Sequence, residues 1–240
     1  MRLKPRFDLQ FIRLLVVVGW LTTALSPLAG ADYAELWQHA KAAEAQKDTE
    51  LALKLYEDAW RQSDNAAERL SGLEACHRLL RQQGKTQEAE QLLRDSLDKL
   101  DFEAPQYRRL LNILAGTLLW SPRQDEALDL LNQARFFATK SENDKYATLN
   151  LSAHIYLARQ QYEAVLEVMQ PLAENRHLHP ANQYGAAMLV AKAWLELGYP
   201  EKAKAYYADA LTAAKKVAYK FDYTEAENAL KNLQTTGLKK

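Results

Sequence analysis

Five stretches of the chain repeat one arrangement: a small residue, a large apolar residue four positions on, and a second small residue three beyond that. They are Ala52/Tyr56/Ala59, Ala89/Leu93/Ser96, Ala127/Leu131/Ala134, Ala164/Val168/Pro171 and Ala203/Tyr207/Ala210. The leading alanines stand 37, 38, 37 and 39 residues apart. Recurrence at such a fixed interval is the mark of a repeat architecture, because each unit stacks its apolar face on its neighbours. Before each stretch lies a second apolar-periodic segment: Leu36/Ala40/Ala43, Leu73/Cys76/Leu80, Leu111/Leu114/Ala115/Leu118, Leu151/Ser152/Ile155 and Val190/Ala191/Trp194. Spacings of three and four residues put these side chains on one face of a helix. Short turns at Gly84-Lys85, Ser121-Pro122 and Gly198-Tyr199-Pro200 separate the paired segments, with glycine suited to a helix C-terminus and proline to the first turn of the next helix.

Each unit therefore reads as a helical hairpin, with repeats expected at about 32–63, 65–100, 104–140, 142–176 and 180–216. Residues 217–240 follow, in which Ala226, Ala229, Leu230 and Leu233 share one face and predict a capping helix with a frayed tail. Composition agrees: glycine (8) and proline (7) are scarce in 240 residues, and 48% of the chain is hydrophobic, enough for a sizeable core.

The segments Gly84-Lys-Thr-Gln-Glu-Ala-Glu-Gln-Leu-Leu93 and Gly198-Tyr-Pro-Glu-Lys-Ala-Lys-Ala-Tyr-Tyr207 resemble the tetratricopeptide repeat family. The resemblance, to an exported bacterial member, covers about residues 33–216. It implies an all-α fold, a right-handed α-solenoid of about five hairpin repeats closed by the C-terminal helix. It departs from the family in a period longer than the usual 34 residues and in lacking the closing proline. Pro171, in place of the last small residue of the fourth unit, predicts a kink or shortening near Gln170.

The N-terminus has a different character. Residues 1–13 are basic, Leu14 to Leu25 form an apolar run, and Ser26-Pro27 breaks it before Ala29-Gly30-Ala31. This order predicts a signal peptide, residues 1–31, cleaved after Ala31. A retained anchor is the competing reading, but Arg13 and Pro27 confine the run to fewer than the roughly 20 residues a spanning helix needs. The segment resembles a bacterial Sec-type leader, which implies a periplasmic or secreted protein. Leu28-Ala29-Gly30 is followed by Ala31 where a lipoprotein would carry the cysteine to be acylated, so no direct anchor is expected after cleavage.

Charge and chemistry narrow the function. Basic and acidic residues balance at 31 each, and without the leader the net charge is −3, which argues against a nucleic-acid partner. The sole cysteine, Cys76, excludes an intramolecular disulfide and falls on an apolar stripe, as expected of an inert core thiol. There is no glycine-rich phosphate loop, nucleophile elbow or H-E-x-x-H pair. His177 and His179 make at most two ligands of a metal site that needs three or four. Neither catalytic residues, nor a cofactor, nor a metal is expected.

In the repeat family the first helices of the units line a concave groove, so a protein or peptide partner is expected there. The residues off the core stripe of those helices are Trp37 and Lys41; Glu74, Arg78 and Arg81; Arg109, Asn112 and Trp120; Tyr146, Asn150 and Tyr156; and Met188 and Lys192. Trp37, Lys41, Arg78, Arg81, Arg109, Asn112, Tyr146, Asn150, Tyr156 and Lys192 form the candidate partner-binding set. Asparagine amides suit an extended backbone, and arginine forks suit a carboxylate. The expected function is a non-enzymatic periplasmic or secreted scaffold; the alternative is a membrane-tethered assembly factor of an envelope complex.

Overall fold

The computed structural model describes residues 31–137 and 141–237; of the leader read at 1–31, all but Ala31 lies outside them. Every regular element among these residues is an α-helix, eleven in all. They are α1 (Tyr33–Ala45), α2 (Thr49–Gln62), α3 (Ala66–Gln82), α4 (Thr86–Lys99), α5 (Ala104–Leu118), α6 (Gln124–Phe136), α7 (Glu142–Ala158), α8 (Tyr162–Ala173), α9 (Pro180–Glu196), α10 (Pro200–Ala214) and α11 (Thr224–Gly237). The chain divides into two compact units, one through Leu79 and one from Leu80 onward.

In the first unit α1 packs on α2. Leu36, Ala40 and Ala43 of α1 are buried, as are Ala52, Leu55, Tyr56, Ala59 and Trp60 of α2. Asp32 caps α1 by accepting from the Glu35 amide at 2.9 Å, and Asp48 caps α2 through the Leu51 amide at 3.1 Å, so each carboxylate meets an amide that the helix leaves unpaired. In the second unit successive helices pack from α4 to α11, and the alternate helices α5, α7 and α9 also touch in turn. Ala226 is buried, and Ala229, Leu230 and Leu233 pack on the core of this unit, so α11 covers its apolar end.

Four turns close the same way. Lys47, Gly84, Gln160 and Gly198 all adopt positive φ, between 58 and 82°. The next amide in each case reaches five residues back: Asp48 to the Ala43 carbonyl, Lys85 to Leu80, Gln161 to Tyr156 and Tyr199 to Trp194. This is the Schellman closure, which satisfies carbonyls the helix end leaves free and needs one left-handed residue. Glycine supplies it without strain at two of the four sites. The turn after α5, which contains Pro122, closes without a positive-φ residue. There the Ser121 hydroxyl and the Gln124 amide donate to the Leu118 and Leu119 carbonyls instead.

The fourth repeat differs from its sequence reading. Ala164 and Val168 are only partly buried and Pro171 is exposed, while Val165, Met169 and Leu172 hold the core positions. The stripe is thus one residue later than the alanine pattern indicated. Pro171 consequently faces solvent, and α8 runs past it to Ala173 rather than ending at Gln170. In the last turn proline removes one helical hydrogen bond, and the Glu167 carbonyl that loses its donor belongs to an exposed residue.

Candidate partner-binding face

The first-helix residues fall into separate local settings. In the first unit Trp37 is half-buried, stacked on Tyr33 at 5.6 Å and edge-on to Tyr56 at 4.8 Å between ring centres. Lys41 is exposed. Arg78 already holds a carboxylate, with Nη1 donating to Glu44 Oε1 at 2.6 Å and Nη2 to Oε2 at 2.9 Å. The buried Tyr56 hydroxyl donates to the same carboxylate at 3.1 Å. The Arg78 fork, with the Tyr56 hydroxyl, holds the Glu44 carboxyl below its ordinary range. Burial and the Glu44 carboxylate push the Tyr56 phenol up to about 12. Cys76 is buried, its thiol near the Leu53 carbonyl, and burial pushes it up to about 12, far from a reactive thiolate.

In the second unit Arg81 and Arg109 are exposed. Asn112 and Thr148 join α5 to α7, the amide Nδ2 donating to the threonine Oγ1 at 3.0 Å. Asn112 Oδ1 is buried without a partner among the described residues. Tyr146 and Tyr156 are partly buried against the core of this unit, and Asn150 is partly exposed. Tyr146 presses against α9 at Gly185, and burial raises its phenol to about 12. Lys192 pairs with Glu225 of α11 at 2.7 Å. Its charge, after burial, helps hold the His154 imidazole below its ordinary value.

Other positions answer narrower expectations. Met188 is not on an open face: α7, α8 and α10 all pack on α9, which leaves every residue from Ala186 to Ala191 buried. Trp194 is half-buried rather than enclosed, with the Lys202 ammonium 3.9 Å from its ring centre, while Trp120 is 73% exposed. His179 uses Nδ1 to accept from the Ala181 amide at 3.2 Å, so it caps α9 and has one nitrogen committed.

Reading off the core stripe passed over the residues that meet the candidates: Glu44, Tyr56, Thr148 and, beside Arg109, Arg108. Arg108 is buried, and its Nη2 lies 2.7 Å from Asp144 Oδ2. It had a visible signal, because it stands in helical phase with Leu111, Ala115 and Leu118. A charge on an apolar stripe needs a partner or a ligand.

No protein-family profile matches the chain, and no curated protein matches it. Among solved structures it is similar to the crystal structure of MamA protein, with a TM-score of 0.54 and 16% identity, over 79% of this chain and 96% of that one. At that identity the likeness concerns the fold, and the chain shares a solenoid-type arrangement of repeated helix pairs.

Proposed function

We propose that the chain is a non-enzymatic scaffold of tetratricopeptide type, exported from the cytoplasm, which binds a protein or peptide partner along its first helices. The observation that carries this reading is the Asn112 amide. One end is held by Thr148 of the neighbouring first helix and the other is buried without a partner among the described residues. Leaving that oxygen unmatched is unfavourable by about 1–3 kcal/mol, a cost that an N–H of a bound extended chain would remove once it displaces the groups covering the amide. Asn150, Tyr146 and Tyr156 on α7 extend the same polar-aromatic surface. Cleavage after Ala31 would leave Asp32, the residue whose side chain caps α1, at the head of the released chain.

The test is a cross-linking pull-down from the cell envelope with Arg78, Arg81, Asn112 and Asn150 replaced together. Loss of capture with unchanged helicity is expected, and unchanged capture defeats the assignment. Glu44→Gln serves as control, because it weakens the Arg78 ion pair without altering any of the four.

A further inference from the structure

A cavity of about 370 Å³ lies among α5, the end of α6 and the start of α7, lined by Arg108, Ala134, Arg135, Phe137, Lys145, Thr148 and Leu149. We infer that this cavity binds a singly charged carboxylate carried on an apolar stem. None of the partner-binding set lines it, although Thr148, which holds the Asn112 amide, does.

Three cations reach the cavity, and their partners set its charge. Arg108 pairs with Asp144 through Nη2, and Lys145 pairs with Glu142 at 2.6 Å. Arg135 is exposed and has no ion pair among the described residues. The local balance is one positive charge, which a monoanion neutralises and a dianion would overshoot.

Arg108 is the built part of the site. It is 7% exposed, and the Asp144 pair fixes its guanidinium plane. Its Nη1 is buried and has no hydrogen-bond partner among the described residues. With Nη2 held by Asp144, Nη1 is the donor left for a carboxylate oxygen, in a charge-assisted hydrogen bond. Opposite these charges, the Phe137 ring, braced on Tyr107 with centres 5.0 Å apart, and Leu149 supply apolar wall. Buried charge on one side and apolar wall on the other select a carboxylate attached to a hydrocarbon group, since a small hydrated anion would leave the wall unused.

Two sources offer this chemistry: an acidic side chain of a polypeptide, and a free organic acid. Titration of the full chain with hexanoate, hexanamide and the blocked dipeptide acetyl-Leu-Glu-amide, followed by NMR of the Thr148 and Leu149 methyls and the Arg108 Nε–H, separates them. Hexanoate or the dipeptide is expected to shift these resonances where hexanamide does not, and the tighter of the two names the source. Arg108→Met is expected to weaken binding about tenfold or more, the loss of a charge-assisted hydrogen bond. Should that variant unfold, the exposed pair Arg135→Gln and Lys145→Gln is expected to weaken hexanoate binding while leaving the fold intact. Equal shifts by hexanoate and hexanamide, or no shift by either acid, overturns the inference. No partner protein is used, so failed capture from the envelope and failed acid binding are separate results.

Discussion

Arg78 grips Glu44 across 34 residues of sequence, both ends of its guanidinium donating to both carboxylate oxygens. The pair fastens α3 to α1 within the first unit, and the Tyr56 hydroxyl from α2 completes it. Because the folded Glu44 carboxyl titrates below its ordinary value, the pair's contribution is present above that value and is lost as pH falls through the folded one. Both side chains are about a third or more exposed, so the effect is screened and stays under about 1 kcal/mol. Urea unfolding of Glu44→Gln is expected to match wild type near pH 3 and fall slightly below it at pH 7; an equal deficit at both pH values would contradict the ion-pair account.

Lys47→Gly and Gln160→Gly are expected to stabilise the chain, each by up to about 1 kcal/mol. Both residues hold positive φ in a turn that glycine fills at two of the four equivalent sites, and a side chain there is strained by about 1–2 kcal/mol, partly offset by the entropy of glycine. Gly84→Ala and Gly198→Ala should lower the melting temperature, although nothing lies within 4 Å of the added Cβ. A thermal melt of the four variants reads the sign directly.

Gly72→Ala is expected to destabilise by about 1–3 kcal/mol. A Cβ there would lie 2.5 Å from Trp60 Cβ, close to the backbone of α2, where no rotamer change relieves it. Gly185→Ala meets Tyr146 differently, at 2.2 Å from the phenolic oxygen. In a Tyr146→Phe background that oxygen is gone, and the gain in helix propensity, about 1 kcal/mol, then opposes the remaining contact. A double-mutant cycle should show strong coupling; additive losses would place the strain elsewhere.

His154 makes the second unit sensitive to mild acid. Burial, with the nearby Lys192 charge, lowers its folded value, so the folded state binds its proton less readily than the unfolded chain. Stability is therefore full above about 6.5 and declines as pH falls below it toward the folded value. His154→Gln is expected to flatten unfolding free energy between about pH 7 and pH 5.

Export has its own readout. Mass spectrometry of the protein from an envelope fraction is expected to find Asp32 as the first residue. An intact Met1 or a lipid adduct would contradict it.

Much of the fold was legible because helix pairs write themselves twice, in apolar phase and in turn chemistry. Leu36, Ala40 and Ala43, or Leu111, Leu114, Ala115 and Leu118, are buried where the spacing put them. The register of α8 was missed because Ala164 imitates the small residue of the other repeats, while the β-branched Val165 beside it takes the core position. The turns at Lys47 and Gln160 were invisible for a related reason: their left-handed geometry is imposed by backbone closure, and neither residue type announces it. The face was harder still. Arg78 and Lys192 are both bound to acids from other helices, a fact that no single-helix pattern contains.

The recurring Schellman turns bear on how this chain finds its fold. Each closure is made by amides and carbonyls within a few residues of one another, so the reversal of direction between paired helices is specified before any distant segment arrives. Hairpins can then form one at a time from the leading end. A chain that emerges N-terminus first, from a ribosome or through a membrane, would therefore acquire structure in the order in which it appears, without waiting for its C-terminus.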